Sequence, residues 1–188
     1  MNEIIFVVFY TALLGITMKV ADLLNEHQLK LFNGANLTFG FMWGIFGVLA
    51  ISSNASVGNL ILATVIGFLT RKKLDYLNHT IAASIVIIGF LFIGSFMPNV
   101  FLFFYLIFIS FGSLRDAFRY HFLRIKRLRN KKSFFSKISW LYYYDFAYPL
   151  PALLYSIFTG EWIIFYAAFS LAFAYILVKF FGKRSGYQ

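Results

Sequence analysis

Apolar residues lie along the chain in seven long runs that short polar segments separate. The runs cover about 4–18, 35–52, 56–70, 80–97, 100–114, 138–158 and 162–181. A helix that crosses a bilayer needs roughly 20 mostly apolar residues, with a range of about 17–25. The pattern therefore predicts an all-α, polytopic membrane protein, in which residues 1–188 form one bundle of seven transmembrane helices.

The third run fits this prediction least well. As a helix, residues 57–70 would cover only about 21 Å, at 1.5 Å per residue. One alternative continues the helix through 71–74, with basic side chains that reach back to the interface. Another makes part of 35–70 a re-entrant hairpin that turns at 52–54. Re-entrant backbone is tolerated only where protein or water surrounds it, so we favour seven full helices.

Composition excludes most soluble classes. Hydrophobic residues make up 61% of the chain and charged residues 13%, with a mean hydropathy of +0.76. A soluble domain averages roughly 45–50% apolar and about 25% charged residues. A soluble single-core enzyme and a disordered chain are therefore excluded. The chain has no Cys, which excludes a disulfide scaffold, a cysteine-ligated zinc site and thiol catalysis.

The basic residues are distributed unevenly. All 17 Lys and Arg fall at the ends of the first, third, fifth and seventh runs or in the segments that follow them. By the positive-inside rule this predicts an outside N-terminus and a cytoplasmic C-terminus in the cell membrane. The formal charge of +10 is then explained by topology rather than by nucleic-acid binding. Residues 1–3 contain no basic residue, so we expect no cleavable signal peptide.

The segment 115–137 holds more than half of these basic residues. Within it Phe118, Phe122 and Ile125 recur at i, i+4 and i+7, which forms one apolar stripe on a helix. This pattern predicts an amphipathic cytoplasmic helix on an anionic leaflet. The expected partner is a membrane lipid, anionic or phosphorylated, and not a nucleic acid. An oligomer is left open.

A polar motif recurs at the predicted cytoplasmic helix ends. Its members are Lys19, Asp22, Asn25 and His27 in the first copy, Lys72, Asp75, Asn78 and His79 in the second, and Arg115, Asp116 and His121 in a shorter third. The repetition indicates a helical hairpin used two or three times. On a helix, residues three or four apart share a face, so each copy would present a polar face.

If these hairpins pack together, the polar groups meet in one cytoplasmic cavity. Carboxylates and amides suit Mg²⁺ or Mn²⁺, which also binds substrate phosphates. The predicted metal ligands are Asp22, Asn25, Asp75, Asn78 and Asp116. The predicted phosphate-binding residues are Lys19, Lys72, Arg115 and Arg119, since cationic side chains hydrogen-bond phosphate oxygens. The predicted acid–base residues are His27, His79 and His121.

Asp145 lies in the aromatic stretch of the sixth run. A buried Asp there would need a partner and could join the acid–base chemistry, whereas in an aromatic belt it would reach the surface instead. The repeated motifs also have a structural interpretation, because Lys at a helix end complements the dipole and Asp or Asn can cap the next helix.

These features favour a divalent-metal-dependent enzyme that acts on a phosphorylated lipid or polyprenyl (di)phosphate at the cytoplasmic leaflet. A small transporter or channel is the first alternative, because repeats and kinked helices are also found there. It would need polar residues at mid-membrane, where the sequence offers only Thr11 and Ser84, with Asn59 nearer the outer end. The second alternative is a non-catalytic membrane subunit that binds a partner through its basic segment.

Overall fold

The computed structural model describes residues 2–26, 29–126 and 149–185, and it is helical throughout these ranges apart from the connections. Seven helices lie in them: α1 Asn2–Glu26, α2 Ala35–Ser53, α3 Ala55–Thr70, α4 Leu77–Ile93, α5 Pro98–Lys126, α6 Pro149–Thr159 and α7 Trp162–Arg184. The all-helical prediction is confirmed over this part of the chain.

Three of the helices are long and apolar enough to cross a membrane. They are α1, α2 and α7, over Asn2–Asn25, Ala35–Ser53 and Trp162–Gly182. The apolar parts of the other four helices are shorter. Large apolar side chains such as Leu91, Phe92 and Phe158 are mostly exposed on the bundle surface. An apolar surface of this kind is what a lipid environment requires, so the structure is that of a helical membrane protein.

The helices pack around α3. α1 lies between α2 and α7, and α2 also packs against α4. α3 packs mainly against α5 and also contacts α2 and α4, while α6 packs against α7. Tyr155 of α6 touches Phe103 and Phe104 of α5. The core is apolar, with side chains such as Val57, Phe104 and Ile164 fully buried.

Two glycines let α2 approach α4 closely. A Cβ on Gly40 would lie 2.7 Å from Asn78, and one on Gly44 would lie 2.7 Å from Ile85. Small residues at helix interfaces in membranes allow such close backbone contact. The contact at Gly40 holds the start of α4, with Asn78 and His79, against α2.

At one end of the bundle, the side-chain amides of Asn54 and Asn59 tie the connections between helices to neighbouring parts of the chain. Asn54 alone separates α2 from α3; its Oδ1 accepts a hydrogen bond from Val57 N at 3.0 Å, and its Nδ2 donates to Glu3 Oε1 at 2.8 Å. Asn59 donates to Ser95 O at 2.7 Å and accepts from Met97 N at 3.0 Å, which ties α3 to the α4–α5 connection. This is the end that the sequence predicts to be outside.

The α3–α4 connection differs from expectation. α3 ends at Thr70 and α4 begins at Leu77, so the predicted alternative of a helix through 71–74 is wrong. Lys72 has φ +52°, a left-handed conformation that stops a helix. Lys72 and Asp75 therefore do not share a helical face with Asn78 and His79, because the chain must reverse direction between the two helices.

The fifth apolar run and the start of the basic segment form one helix. α5 runs without a break from Pro98 to Lys126. The helical part of the prediction for 115–137 therefore agrees with the backbone as far as Lys126. Residues 127–148, which include the rest of that segment, lie outside the described residues.

Candidate functional site

At the end of the bundle opposite Asn54, three helices meet around the carboxylate of Asp22. His79 of α4 places its Nε2 3.2 Å from Asp22 Oδ1. The hydroxyl of Tyr175 on α7 donates a hydrogen bond to Asp22 Oδ2 at 2.8 Å. Lys19, one helical turn before Asp22 on α1, places its Nζ 3.8 Å from the same oxygen. These four residues are called the Asp22 cluster below.

Lys19 and His79 of the Asp22 cluster are buried, and Asp22 and Tyr175 are partly buried. Lys19 is 4% exposed and His79 8% exposed, and the side chain of Asp22 is 15% exposed. A charge removed from water is costly unless another charge or hydrogen bonds compensate it. The Lys19 ammonium also lies 5.1 Å from the centre of the Tyr175 ring, in cation–π range. The cluster is thus a built polar site, not a set of solvated helix ends.

His79 is held by aromatic rings and by Asp22. Its ring meets Trp43 at 5.3 Å and Tyr76 at 5.5 Å, in edge-to-face contacts. Nε2 lies within hydrogen-bond distance of Asp22, but the angle between the two groups is unfavourable and no hydrogen bond forms. Nε2 is the ring nitrogen that faces the carboxylate, and Nδ1 is the other nitrogen of the ring able to accept a hydrogen bond or a proton.

Asn78 fixes the position of His79. It is 1% exposed; its Nδ2 donates to Ala21 O at 3.4 Å, and its Oδ1 accepts from the backbone N–H of His79 at 2.9 Å. Both ends of the amide are therefore engaged, and they join α4 to α1. Asn78 acts as a positioning residue in this arrangement.

A second carboxylate is held between α3 and α5. Arg71 follows α3, and its Nη2 donates to Asp116 Oδ2 at 2.7 Å and to Gly112 O at 2.9 Å. Lys73 Nζ lies 3.3 Å from the same Asp116 oxygen. Arg71, Lys73 and Asp116 are called the Asp116 cluster below.

Electrostatics keep Asp116 ionised. Partial burial raises the pKa of this carboxyl, but the hydrogen bond and charge of Arg71, with those of Lys73, outweigh burial and bring the pKa below its usual range. A guanidinium cannot lose its proton in this setting. Asp116 is therefore a permanent anion at neutral pH.

The structure brings some of the predicted residues together and separates others. Lys19, Asp22, Asn78 and His79 lie together, whereas Asp116 belongs to a different cluster. Lys72 and Asp75 are exposed on the α3–α4 connection. His27 and Asp145 lie outside the described residues, and so do the side chains of Arg115, Arg119 and His121.

The predicted metal ligands do not form a metal site in this arrangement. Within residues 2–26, 29–126 and 149–185 no three His, Asp or Glu side chains are grouped so that they could hold an ion. Asp22 and Asp116 are already paired with cations, and the amide of Asn78 is engaged. Asn25 keeps a buried Nδ2 without a hydrogen-bond partner among the described residues; an Asn binds a metal ion through its Oδ1 instead.

Sequence reasoning missed Tyr175 and the pairing role of Arg71 and Lys73. Tyr175 is one of 12 Tyr, and nothing in its local sequence distinguishes it, because its role depends on the packing of α7 against α1. Arg71 and Lys73 belong to a basic group that topology alone explained. A further polar pair joins the same two helices: the hydroxyls of Thr11 and Ser170 lie 2.5 Å apart.

Comparison of the chain with protein-family models, curated proteins and solved structures finds no match in any of the three. Function is therefore inferred from the side-chain geometry alone.

Proposed function

We propose that this chain is an integral membrane enzyme that acts on a phosphorylated lipid or polyprenyl (di)phosphate at the cytoplasmic face. The proposal includes seven spanning helices in the cell membrane, with the N-terminus outside. It is supported by the basic residues, which cluster at the helix ends where the Asp22 cluster lies. Ionisable groups buried in a membrane protein are functional by default.

The observation that carries the proposal is the buried pair of His79 and Asp22. A His beside a carboxylate can take up a proton and be stabilised as imidazolium. In the proposed reaction, a water or lipid hydroxyl oxygen forms a bond to phosphorus while its proton moves to Nδ1 of His79. The bond from phosphorus to the leaving oxygen breaks, and that oxygen takes the proton back from the imidazolium.

Cations around the cluster would bind the phosphate. Lys19 is part of the cluster, and Lys72 is exposed on the connection that leads into α4. Arg115 and Arg119 lie on α5, at the same end of the bundle. Charge-assisted hydrogen bonds from such groups to phosphate oxygens are about twice as strong as neutral ones.

The proposed reaction has no metal-dependent step, because no three His, Asp or Glu side chains are grouped in the part of the chain that the structure describes. Dependence on Mg²⁺ or Mn²⁺ remains a prediction. It is tested by measuring divalent-ion binding to the protein in lipid nanodiscs. Saturable binding that disappears in Asp22→Ala/Asp75→Ala would support a metal site. No binding, with or without a phosphate analogue, would remove the metal from the proposal.

Turnover of lipid phosphates tests the proposal directly. The purified protein in nanodiscs is incubated with phosphatidic acid and with polyprenyl diphosphate, and phosphate release or transfer is measured. We expect turnover by the wild type and a loss of roughly 10²–10⁴-fold in His79→Gln, the usual contribution of a general acid–base. Thr80→Ala, on the exposed neighbouring residue, serves as the control. Equal turnover in His79→Gln and the wild type would refute the assignment.

A transporter is the second candidate, because of the Thr11–Ser170 pair. Thr11 is 1% exposed, and the pair lies on α1 and α7, the same two helices that carry Asp22 and Tyr175. By contrast, Ser84 is exposed and Asn59 is engaged by the α4–α5 connection. Proton or ion flux into protein-containing liposomes that is lost in Thr11→Val, without lipid turnover, would favour this alternative.

A further inference from the structure

The guanidinium of Arg71 is buried but incompletely satisfied. The side chain is 8% exposed, and both of its hydrogen bonds are made through Nη2. Its Nε is buried and has no hydrogen-bond partner among the described residues. A buried N–H without an acceptor costs free energy, so this arrangement leaves a donor that an added anion would satisfy.

Asp116 accepts a hydrogen bond from only one of the three guanidinium nitrogens of Arg71. A carboxylate or phosphate that meets a guanidinium side-on accepts from two nitrogens at once. Here Arg71 and Lys73 both converge on the single oxygen Oδ2 of Asp116. The Asp116 carboxylate therefore accepts from Nη2 of Arg71 only, and Nε is left without an acceptor.

The Asp116 cluster also opens to the surface and carries excess positive charge. The side chains of Asp116 and Lys73 are 37% and 42% exposed. Arg71, Lys72 and Lys73 are three consecutive basic residues, and the nearby acidic residues of the described chain are Asp116 and the exposed Asp75. An incoming anion can therefore reach Lys73 and the Asp116 carboxylate from water, and it would contact the buried Arg71 guanidinium once Asp116 moves away. It would also neutralise positive charge that the carboxylates leave uncompensated.

Gly112 keeps Arg71 in place. A Cβ at position 112 would overlap the Arg71 guanidinium, so the absence of a side chain lets the guanidinium lie directly on α5. Its bond to Gly112 O is independent of Asp116. The guanidinium would thus stay anchored if the Asp116 carboxylate moved away.

We propose that the Asp116 cluster is a phosphate-binding site, in which Asp116 is an internal anion that an incoming phosphate group displaces. The phosphate is that of an anionic lipid headgroup or of free phosphate or diphosphate. The site is separate from the Asp22 cluster, and the proposal does not depend on the proposed enzymatic function.

Binding measurements on matched variants test it. Inorganic phosphate and diphosphate are titrated into the protein in phosphatidylcholine nanodiscs, and retention of short-chain phosphatidic acid is followed by native mass spectrometry. We expect Asp116→Asn to bind phosphate more tightly than the wild type, by roughly tenfold or more, because the competing anion is gone. Arg71→Gln should lose binding, and Lys73→Gln should weaken it.

Lys30→Gln, which removes an exposed lysine from the α1–α2 connection, is the control for loss of one positive charge. Binding of the inorganic anions would identify free phosphate as the ligand, and retention of phosphatidic acid alone would identify a lipid headgroup. A folded Asp116→Asn that binds neither would overturn the proposal. Wild-type binding by Arg71→Gln would also overturn the proposal. So would wild-type binding by Arg71→Lys, because lysine retains the charge but lacks the paired N–H donors of the guanidinium.

Discussion

Asp22 and Asp116 are carboxylates at the same end of the bundle, and each lies between basic side chains, yet their surroundings differ. Asp22 has a lysine, a tyrosine hydroxyl and a histidine as neighbours, and it is nearly buried. Asp116 has an arginine and a lysine and is more than a third exposed.

The difference is in which groups can exchange a proton. Histidine is a common general acid and base, so the Asp22 cluster contains a side chain suited to proton transfer. The Asp116 cluster contains no histidine, and its guanidinium is suited to hold an anion by charge-assisted hydrogen bonds. The two clusters therefore suit the two roles proposed for them, which are proton transfer at the Asp22 cluster and anion binding at the Asp116 cluster.

The same substitution in both clusters tests this contrast most strongly. Asp22→Asn should lower lipid-phosphate turnover by roughly 10²–10⁴-fold, because the amide no longer stabilises the His79 imidazolium. Asp116→Asn should stay within about threefold of the wild type in the same assay, since Asp116 does not contact the proton-accepting group. If both variants are folded and lose turnover equally, the assignment of different roles to the two clusters is wrong.

Arg71→Ala should affect stability rather than chemistry. It removes the link from α3 to α5 and leaves Asp116 with Lys73 alone. Breaking a fully buried pair costs about 3–5 kcal/mol; because Asp116 is partly exposed, we expect about 1–3 kcal/mol after screening by solvent. Thermal unfolding in detergent would show a fall in Tm of roughly 2–10 °C, and the exposed Lys30→Ala should show almost none. An unchanged Tm would mean that this ion pair does not stabilise the fold.

Tyr175→Phe should have a moderate effect on the Asp22 cluster. The change deletes the hydroxyl that donates to Asp22 but retains the ring next to Lys19, so the cation–π contact persists. A single hydrogen bond to a charged group contributes about 1.5–3 kcal/mol, which corresponds to a drop in turnover of roughly tenfold or more. Tyr166→Phe, at an exposed position of the same helix, is the matched control. Equal rates in both variants would exclude Tyr175 from the site.

The acid response of the Asp116 cluster should be the smallest effect. Because the pKa of Asp116 is lowered in the folded protein, its ion pairs stabilise the fold above the ordinary Asp pKa of about 3.9. This stabilisation is lost as the pH falls through the lowered value. For a partly exposed group we expect about 1 kcal/mol or less. The difference in Tm between the wild type and Asp116→Asn should therefore shrink from pH 7 to pH 3, and a constant difference would contradict this assignment.

Much of the helical architecture is determined locally and was predictable. Long apolar runs form helices in lipid because every backbone hydrogen bond is then satisfied within the segment. Runs at 4–18, 35–52 and 162–181 correspond to α1, α2 and α7 for this reason. The turn at 52–54, proposed from its polar residues, coincides with the junction of α2 and α3 at Asn54.

The site depended on contacts between distant parts of the chain. The repeated Lys, Asp and Asn motif predicted similar polar faces, but its first copy ends a helix while its second spans the reversal between α3 and α4. Only the packing of α1 against α4 and α7 brings His79 and Tyr175 to Asp22, and only the packing of α3 against α5 gives Arg71 to Asp116. Sequence thus determined which residues are polar within an apolar chain; the tertiary structure decided their partners, because ion pairs and hydrogen bonds act over a few ångströms between helices far apart in sequence.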